Sequence, residues 1–365
     1  MLTGTPPGPS ARLTVEALED RTVLSSFGAA RGLSIAVADI ATSTGGREYI
    51  TGSGPGREAV VRFWSTSGTE LFFGGTRLRP FGGFTGGVFV AAGNLDDDNE
   101  TELIVSTGAG GTGRVKVFEV GVGGFRQVAS FIPFGVNYTG GVDIAVGNVT
   151  GGRAQEIIVG QQSGGSQVKV FSDIEQTAGF QFAAIRTFRP FGNNFFGGVS
   201  LAAANIDSVN TIPLGADPSD YAEVIVGKAS QEPRIKIFDV QQPTATLRGS
   251  FIAFDTSLAA NRQGVNLAAG STDAQRGAEI YVAIKGSTRI RFFRGATSEL
   301  LGQLFPLAAT GSRMLNMAIG QADDDTFNFY GTSDLVVVRA DGPYVQDPFV
   351  YPGQVGSPAG LNGGS

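Results

Sequence analysis

GVDIAVGN at residues 141–148, followed after a short polar stretch by EIIVG from Glu156, decides the fold, because both pieces recur along the chain in the same order. The first piece returns as GLSIAVAD from Gly32, GVFVAAGN from Gly87, GVSLAAAN from Gly198, GVNLAAGS from Gly264 and, more loosely, MLNMAIGQ from Met314. Successive starts lie 55, 54, 57, 66 and 50 residues apart by subtraction, a period that marks solenoids or propellers. The second piece, an acid before a β-branched run, returns as EYITG at Glu48, ELIVS at Glu102, EVIVG at Glu223, EIYVA at Glu279 and DLVVV at Asp334.

A third unit sets one cation between apolar residues: VRFW at Val61, VKVF at Val115, VKVF at Val168, IKIF at Ile235 and IRFF at Ile290. Such alternation is the period-2 signature of a strand with one buried face. A fourth segment ends in Phe, as in SFIPF at residues 130–134, TFRPF at 187–191 and SFIAF at 250–254. Four short strands per repeat, divided by Gly-rich turns and without helical periodicity, make each repeat one antiparallel sheet. A sheet of this kind cannot cover both apolar faces alone, so neighbours must lean on it and the array must close. The expected fold is all-β: a single β-propeller of about six four-stranded antiparallel blades over residues 31–352, with seven as the alternative. The last repeat lacks a cation-centred third strand, and residues 22–27 resemble a fourth segment, so closure by an N-terminal strand is expected. Residues 1–30 then form that strand or a leader-like segment, and 353–365 form a flexible Gly/Ser-rich tail.

Composition narrows the chemistry. With 55 Gly but 41% hydrophobic residues, the chain has turn-rich, core-forming character and is neither collagen nor disordered. Lys and Arg number 27 against 33 Asp and Glu, a net charge of −6 that repels phosphate backbones and argues against nucleic acid as a partner. Cys and His are both absent. That removes disulfides, thiolate nucleophiles, Cys/His metal ligation and the commonest neutral-pH base. No apolar run approaches the ~18 residues of a membrane span. The first 30 residues lack the basic start and apolar stretch of an ordinary secretory signal.

The densest chemistry is NLDDDNETE at residues 94–102. Oxygen groups at alternate positions of a tight loop can converge on one hard cation, here through Asn94, Asp96 and Asp98. Three adjacent carboxylates also repel one another without a cation. Gln321, Asp323 and Asp325 keep the spacing ahead of Asp334 and form a possible second metal site. The counterparts at Asn148, Asn205, Asp39 and Asp273 have lost most of their acids and read as hydrogen-bonded turns.

Repeat start, Asp-rich loop, acid-plus-LIV run and Phe-Gly connector together resemble the FG-GAP or VCBS repeats of integrin α-type propellers. That resemblance implies Ca2+ as cofactor, with Glu100 contributing its backbone carbonyl and Glu102 its carboxylate. It departs at Asn99, where family loops usually carry Gly, and in blade number, usually seven. RLTVEALEDRTVLS at residues 12–25 resembles a leader-type segment of planctomycete envelope proteins, which implies export: a secreted, cell-surface or periplasmic protein.

The Gly-rich connectors carry aromatics. Phe81, Phe134 and Phe191 recur in register and are expected to wedge between blades, whereas Tyr138, Phe195 and Phe196 are candidates for an exposed binding rim. The inner strands read as small apolar residues lining a tight channel, and GAGGTG at Gly108 joins two strands without the helix that a phosphate loop requires. No acid, base and nucleophile recur together. The expected function is a non-catalytic recognition or scaffold module at the cell surface, with an unidentified protein or glycan ligand. A polysaccharide-active lyase or hydrolase and a structural envelope protein are the alternatives.

Overall fold

The structure is a computed structural model that describes residues 32–40, 46–66, 68–98, 100–174, 179–207, 221–272, 277–287, 289–305, 315–320, 334–339 and 349–351. Each repeat becomes a meander whose strands pair antiparallel in chain order. The inner strands are Gly32–Ala38, Val88–Gly93, Val142–Gly147, Val199–Ala204 and Val265–Gly270. Each pairs with the strand that begins at the recurring Glu; in the third blade the register runs from Val142 opposite Gln161 to Gly147 opposite Glu156. Cation-centred third strands and a fourth strand complete the sheets, the fourth carrying Phe at or next to its end in the middle blades, at Phe131, Phe188 and Phe251. Between them a register shift recurs at Val117/Phe118, Val170/Phe171, Ile237/Phe238 and Phe292/Phe293. An irregularity of this type sharpens the local twist between the third and fourth strands of these four blades.

The architecture is a β-propeller with five four-stranded blades, and this corrects the expected count of about six or seven. The remaining sheet holds three strands, Leu315–Gly320, Asp334–Arg339 and Phe349–Tyr351, and its inner strand lies between Val265–Gly270 and Gly32–Ala38. Counting recurrent first and second pieces counts inner hairpins. A complete blade also needs a third and a fourth strand, and after Asp334 only one further strand follows among the described residues. The N-terminal segment expected to supply a closing strand, residues 22–27, lies outside the described residues. One 3₁₀ turn, Ala259–Asn261, interrupts the sheet architecture. No α-helix occurs among the described residues, and no helix there is long and apolar enough to cross a membrane.

The core lies between blades. Val61 and Phe63 of the first blade pack with Val88, Val90, Leu103 and Val105 of the second, and the later interfaces repeat the pattern. Phe at the end of one blade's fourth strand meets Phe on the next blade's third strand: Phe131 with Phe171 at 4.6 Å, Phe188 with Phe238 at 4.9 Å, and Phe251 with Phe293 at 4.8 Å between centroids. The Gly that opens the third, fourth and fifth repeats is required by a close approach of the preceding blade's backbone. Gly198 has φ +80, and a Cβ there would lie 1.7 Å from the Gln162 carbonyl oxygen of the preceding blade. Only Gly adopts that conformation freely and admits such an approach.

Candidate metal centre

Residues 94–98 and 100–101 lie in the turn from Val88–Gly93 into Glu102–Thr107 in the second blade. The side chain of Asn94 closes it: Oδ1 accepts the Asp97 N–H at 2.8 Å, and Nδ2 donates to the Asp98 carbonyl. Asp97 takes the left-handed conformation, φ 66. The Asp98 N–H donates to Asp96 Oδ1 at 3.4 Å, and the Glu100 N–H to Asp98 Oδ1 at 2.6 Å. Leu95 is fully buried, and its N–H donates to Glu102 Oε2 at 2.8 Å. One end of the loop is therefore anchored in the core while Asp98 and Glu100 stay exposed.

Asp96, Asp98 and Glu102 bring carboxylate oxygens within 4.8 Å of one another. Burial pushes the Glu102 carboxyl up to about 8, and the charges of Asp96, Asp98 and Glu119 push the same way against the Leu95 hydrogen bond. Burial also raises Asp96, aided by the Asp98 charge. This is an all-oxygen donor set whose carboxyls burial and one another's charge hold above their ordinary range, an arrangement that fits a hard cation such as Ca2+, which would favour their ionised form. Glu100 lies at the loop's edge, and Asn99 and the candidate second set Gln321, Asp323 and Asp325 lie outside the described residues.

The recurring Glu has a role that the sequence analysis did not assign. Glu48 accepts the Ile40 N–H, Glu102 that of Leu95, Glu156 that of Val149, Glu223 that of Ile206 and Glu279 that of Thr272, all at 2.8–3.0 Å. All five carboxylates are buried. Each closes the turn between first and second strands, including turns without an acidic cluster. In the third blade Asn148 repeats the Asn94 geometry, and the Thr150 hydroxyl donates to Glu156. Asp207 instead pairs with Arg248 at 2.7 Å. Glu102 is thus a turn clamp first, and Asp96 and Asp98 distinguish its blade from the others. The signal was present as the one acid kept through five blades whose loops otherwise diverge.

The inner strands also carry polar groups that tie neighbouring blades together. The third position of each repeat start, Ser34, Phe89, Asp143, Ser200, Asn266 and Asn316, is polar in all but one case. Ser34 Oγ accepts the Val90 N–H at 2.6 Å, Asp143 Oδ2 accepts the Leu201 N–H at 2.9 Å, and Asn266 Nδ2 donates to Asn316 Oδ1 at 2.7 Å. Each of these bonds joins one blade to another. Burial raises Asp143 to about 6, against hydrogen bonds from Leu201, Ile144 and Ser200 and the charge of Lys285. Lys285 donates to the Ala229 carbonyl at 2.8 Å, and burial lowers it.

Of the candidate rim residues, Phe196 is open, with 65% of its surface exposed, whereas Phe195 is buried against Phe191 at 5.4 Å, with the Lys228 ammonium 4.6 Å from its ring centroid. Tyr138 is half-buried. Its hydroxyl lies 2.7 Å from the Gly141 carbonyl and 2.8 Å from that of Ser163, and burial pushes it up to about 12. The structure does not bring these three together as one exposed surface. A cavity of about 420 Å³ lies beside the acidic loop, walled by Asp39, Glu100, Glu119, Phe125 and Arg126; Arg126 pairs with Glu119 there through both carboxylate oxygens.

No family model matches the chain, and no curated protein matches it. Among solved structures, a protein from Lactobacillus plantarum aligns with a TM-score of 0.47 at 10% identity, over 83% of this chain and 81% of its own. The rhamnogalacturonan lyase YesW aligns with a TM-score of 0.42 at 13% identity, and the exotype rhamnogalacturonan lyase YesX with 0.43 at 13%; each alignment covers 88% of this chain. The chain spans 58% of the first lyase's length and 55% of the second's.

Proposed function

We propose that this chain is a non-catalytic recognition or scaffold module, secreted or at the cell surface, that carries Ca2+ in an FG-GAP-type loop. The observation that supports it is the meeting of Asp96, Asp98 and Glu102 oxygens within 4.8 Å on a turn whose Leu95 is locked in the core. The cation would be held by these three carboxylates. It supplies positive charge that relieves their mutual repulsion and ties the solvent side of the turn to the buried Glu102. The non-catalytic reading draws on the lack of His and Cys and on the engagement of the buried acids with backbone N–H groups, which makes them parts of the frame.

A ligand that binds only the folded chain raises stability by mass action, about 2.7 kcal/mol at a hundred times its Kd. The melting temperature should therefore rise from chelator to millimolar Ca2+, and Asp96→Ala or Asp98→Ala should abolish that rise while leaving the β spectrum intact. Equal wild-type melts in both conditions would remove the cation from the proposal. Release of unsaturated or reducing ends from an acidic polysaccharide would replace the non-catalytic reading with the enzyme alternative.

A further inference from the structure

The connector from the first blade to the second is one residue shorter than its counterparts: PFGGFTGG runs from Pro80 to Gly87, whereas Pro133 to Gly141 and Pro190 to Gly198 each hold one more. In the longer connectors the third-strand lysine is tied down. Lys169 donates to the Pro133 carbonyl at 2.7 Å, and Lys236 to that of Pro190 at 2.8 Å. Lys116 makes no such bond to Pro80 among the described residues. Its ammonium lies 5.6 Å from the Phe81 ring centroid and faces a cavity of about 680 Å³.

That cavity is unusual in charge. Arg114 and Lys116 both line it, and no Asp or Glu does, on a protein of net charge −6. Neither cation has an ion-pair partner among the described residues; Arg114 donates to the Ser130 hydroxyl at 3.0 Å. Phe81 and Phe84, set edge to face at 6.4 Å between centroids, form an apolar wall, and Thr112 and Gln127 add polar groups. Burial and the charge of Arg114 both lower Lys116, so a bound anion would relieve two like charges at once.

We infer that this cavity binds a small carboxylate carried on a six-membered ring, its anionic group on Arg114 and Lys116 and its ring against Phe81 and Phe84. The volume falls in the range of small-molecule sites, about 300–1,000 Å³, larger than a bare anion needs. The protein's net negative charge disfavours a long polyanion and favours a free small acid or a chain end. Because its loop residues belong to a fourth-to-first connector (Pro80, Phe81, Gly82, Phe84) and a second-to-third loop (Gly110, Gly111, Thr112, Arg114), the site lies towards the rim opposite the acidic turn, and it does not require a cation there.

The test is a chemical-shift titration of the isotope-labelled full chain with methyl glucuronide, benzoate, methyl glucoside and acetate. Either ring carboxylate should produce saturable shifts at the amides of Gly110, Gly111 and Thr112, with methyl glucoside and acetate at least tenfold weaker. Tighter binding of the glucuronide identifies a glycan as the source of the carboxylate, and tighter binding of benzoate an aromatic acid. Lys116→Met, which keeps the alkyl stem, should weaken binding about tenfold, the worth of one charge-assisted hydrogen bond. Lys116→Arg should restore it, and Lys169→Met should leave it unchanged. Acetate as tight as the ring acids, glucoside as tight as glucuronide, undiminished binding by a folded Lys116→Met, or no saturable shift with either ring acid would each overturn the inference.

Discussion

At the scale of single residues, the buried Glu that opens each second strand separates frame from site. Glu156 accepts from the Val149 N–H and the Thr150 hydroxyl, and its own turn has no acidic cluster. Glu156→Ala strands those donors in the interior and should cost about 1–3 kcal/mol, equally in chelator and in Ca2+, as read by urea unfolding. Glu102→Ala should carry a similar penalty in chelator, because it also releases a buried N–H, that of Leu95. In addition it should lose the Ca2+-dependent gain. If both variants respond to Ca2+ alike, Glu102 is not a ligand. The acid at this position was legible from the sequence, but its role was not, because a carboxylate that clamps a turn and one that awaits a cation have the same spacing from the inner strand.

Elements meet where the Gly-rich starts of the inner strands pass beneath the preceding blade. Gly198 and Gly192 both have positive φ, +80 and +79, yet a Cβ on Gly198 would strike the Gln162 carbonyl while one on Gly192 would meet nothing within 4 Å. Gly192→Ala should therefore cost only the left-handed strain, about 1–2 kcal/mol. Gly198→Ala should add about 1–3 kcal/mol of overpacking, with chevron or equilibrium denaturation as the measurement. Equal losses would show that the blade interface yields freely at that point. Recurrence of Gly in the sequence marks both as turns; only the neighbouring blade distinguishes them.

For the whole molecule, the buried acids set a pH dependence. Glu102 sits at about 8 and Asp143 at about 6, and burial likewise raises Glu156 and Glu223. An unfolded carboxyl titrates near 4, so between roughly pH 4 and 8 the folded chain holds more protons than the unfolded one, and stability must fall as pH rises through that window. In chelator the urea midpoint should decline from pH 5 to pH 8.5. Ca2+ should flatten the upper part of the decline, since a cation favours ionised Glu102. A midpoint that climbs over this range would contradict the burial of these acids.

Strand order and the antiparallel meander were readable in the sequence, because period-2 alternation and turn residues are local and six repeat starts state them again and again; the acidic turn was readable from the spacing of a single loop. Three things only the tertiary structure decided. The number of complete blades depends on whether an inner hairpin finds a third and a fourth strand. The use of Asp143, Ser34 and the recurring Glu depends on which buried N–H each side chain meets, in Asp143's case across a blade boundary. The cavity at Lys116 depends on what its ammonium meets in space, where the carbonyls that Lys169 and Lys236 hold have no counterpart among its hydrogen bonds to the described residues. Each is a contact outside the strand that carries the residue, across a turn for the recurring Glu and across a blade boundary for Ser34 and Asp143, and the pattern along one strand carries no information about what packs against it.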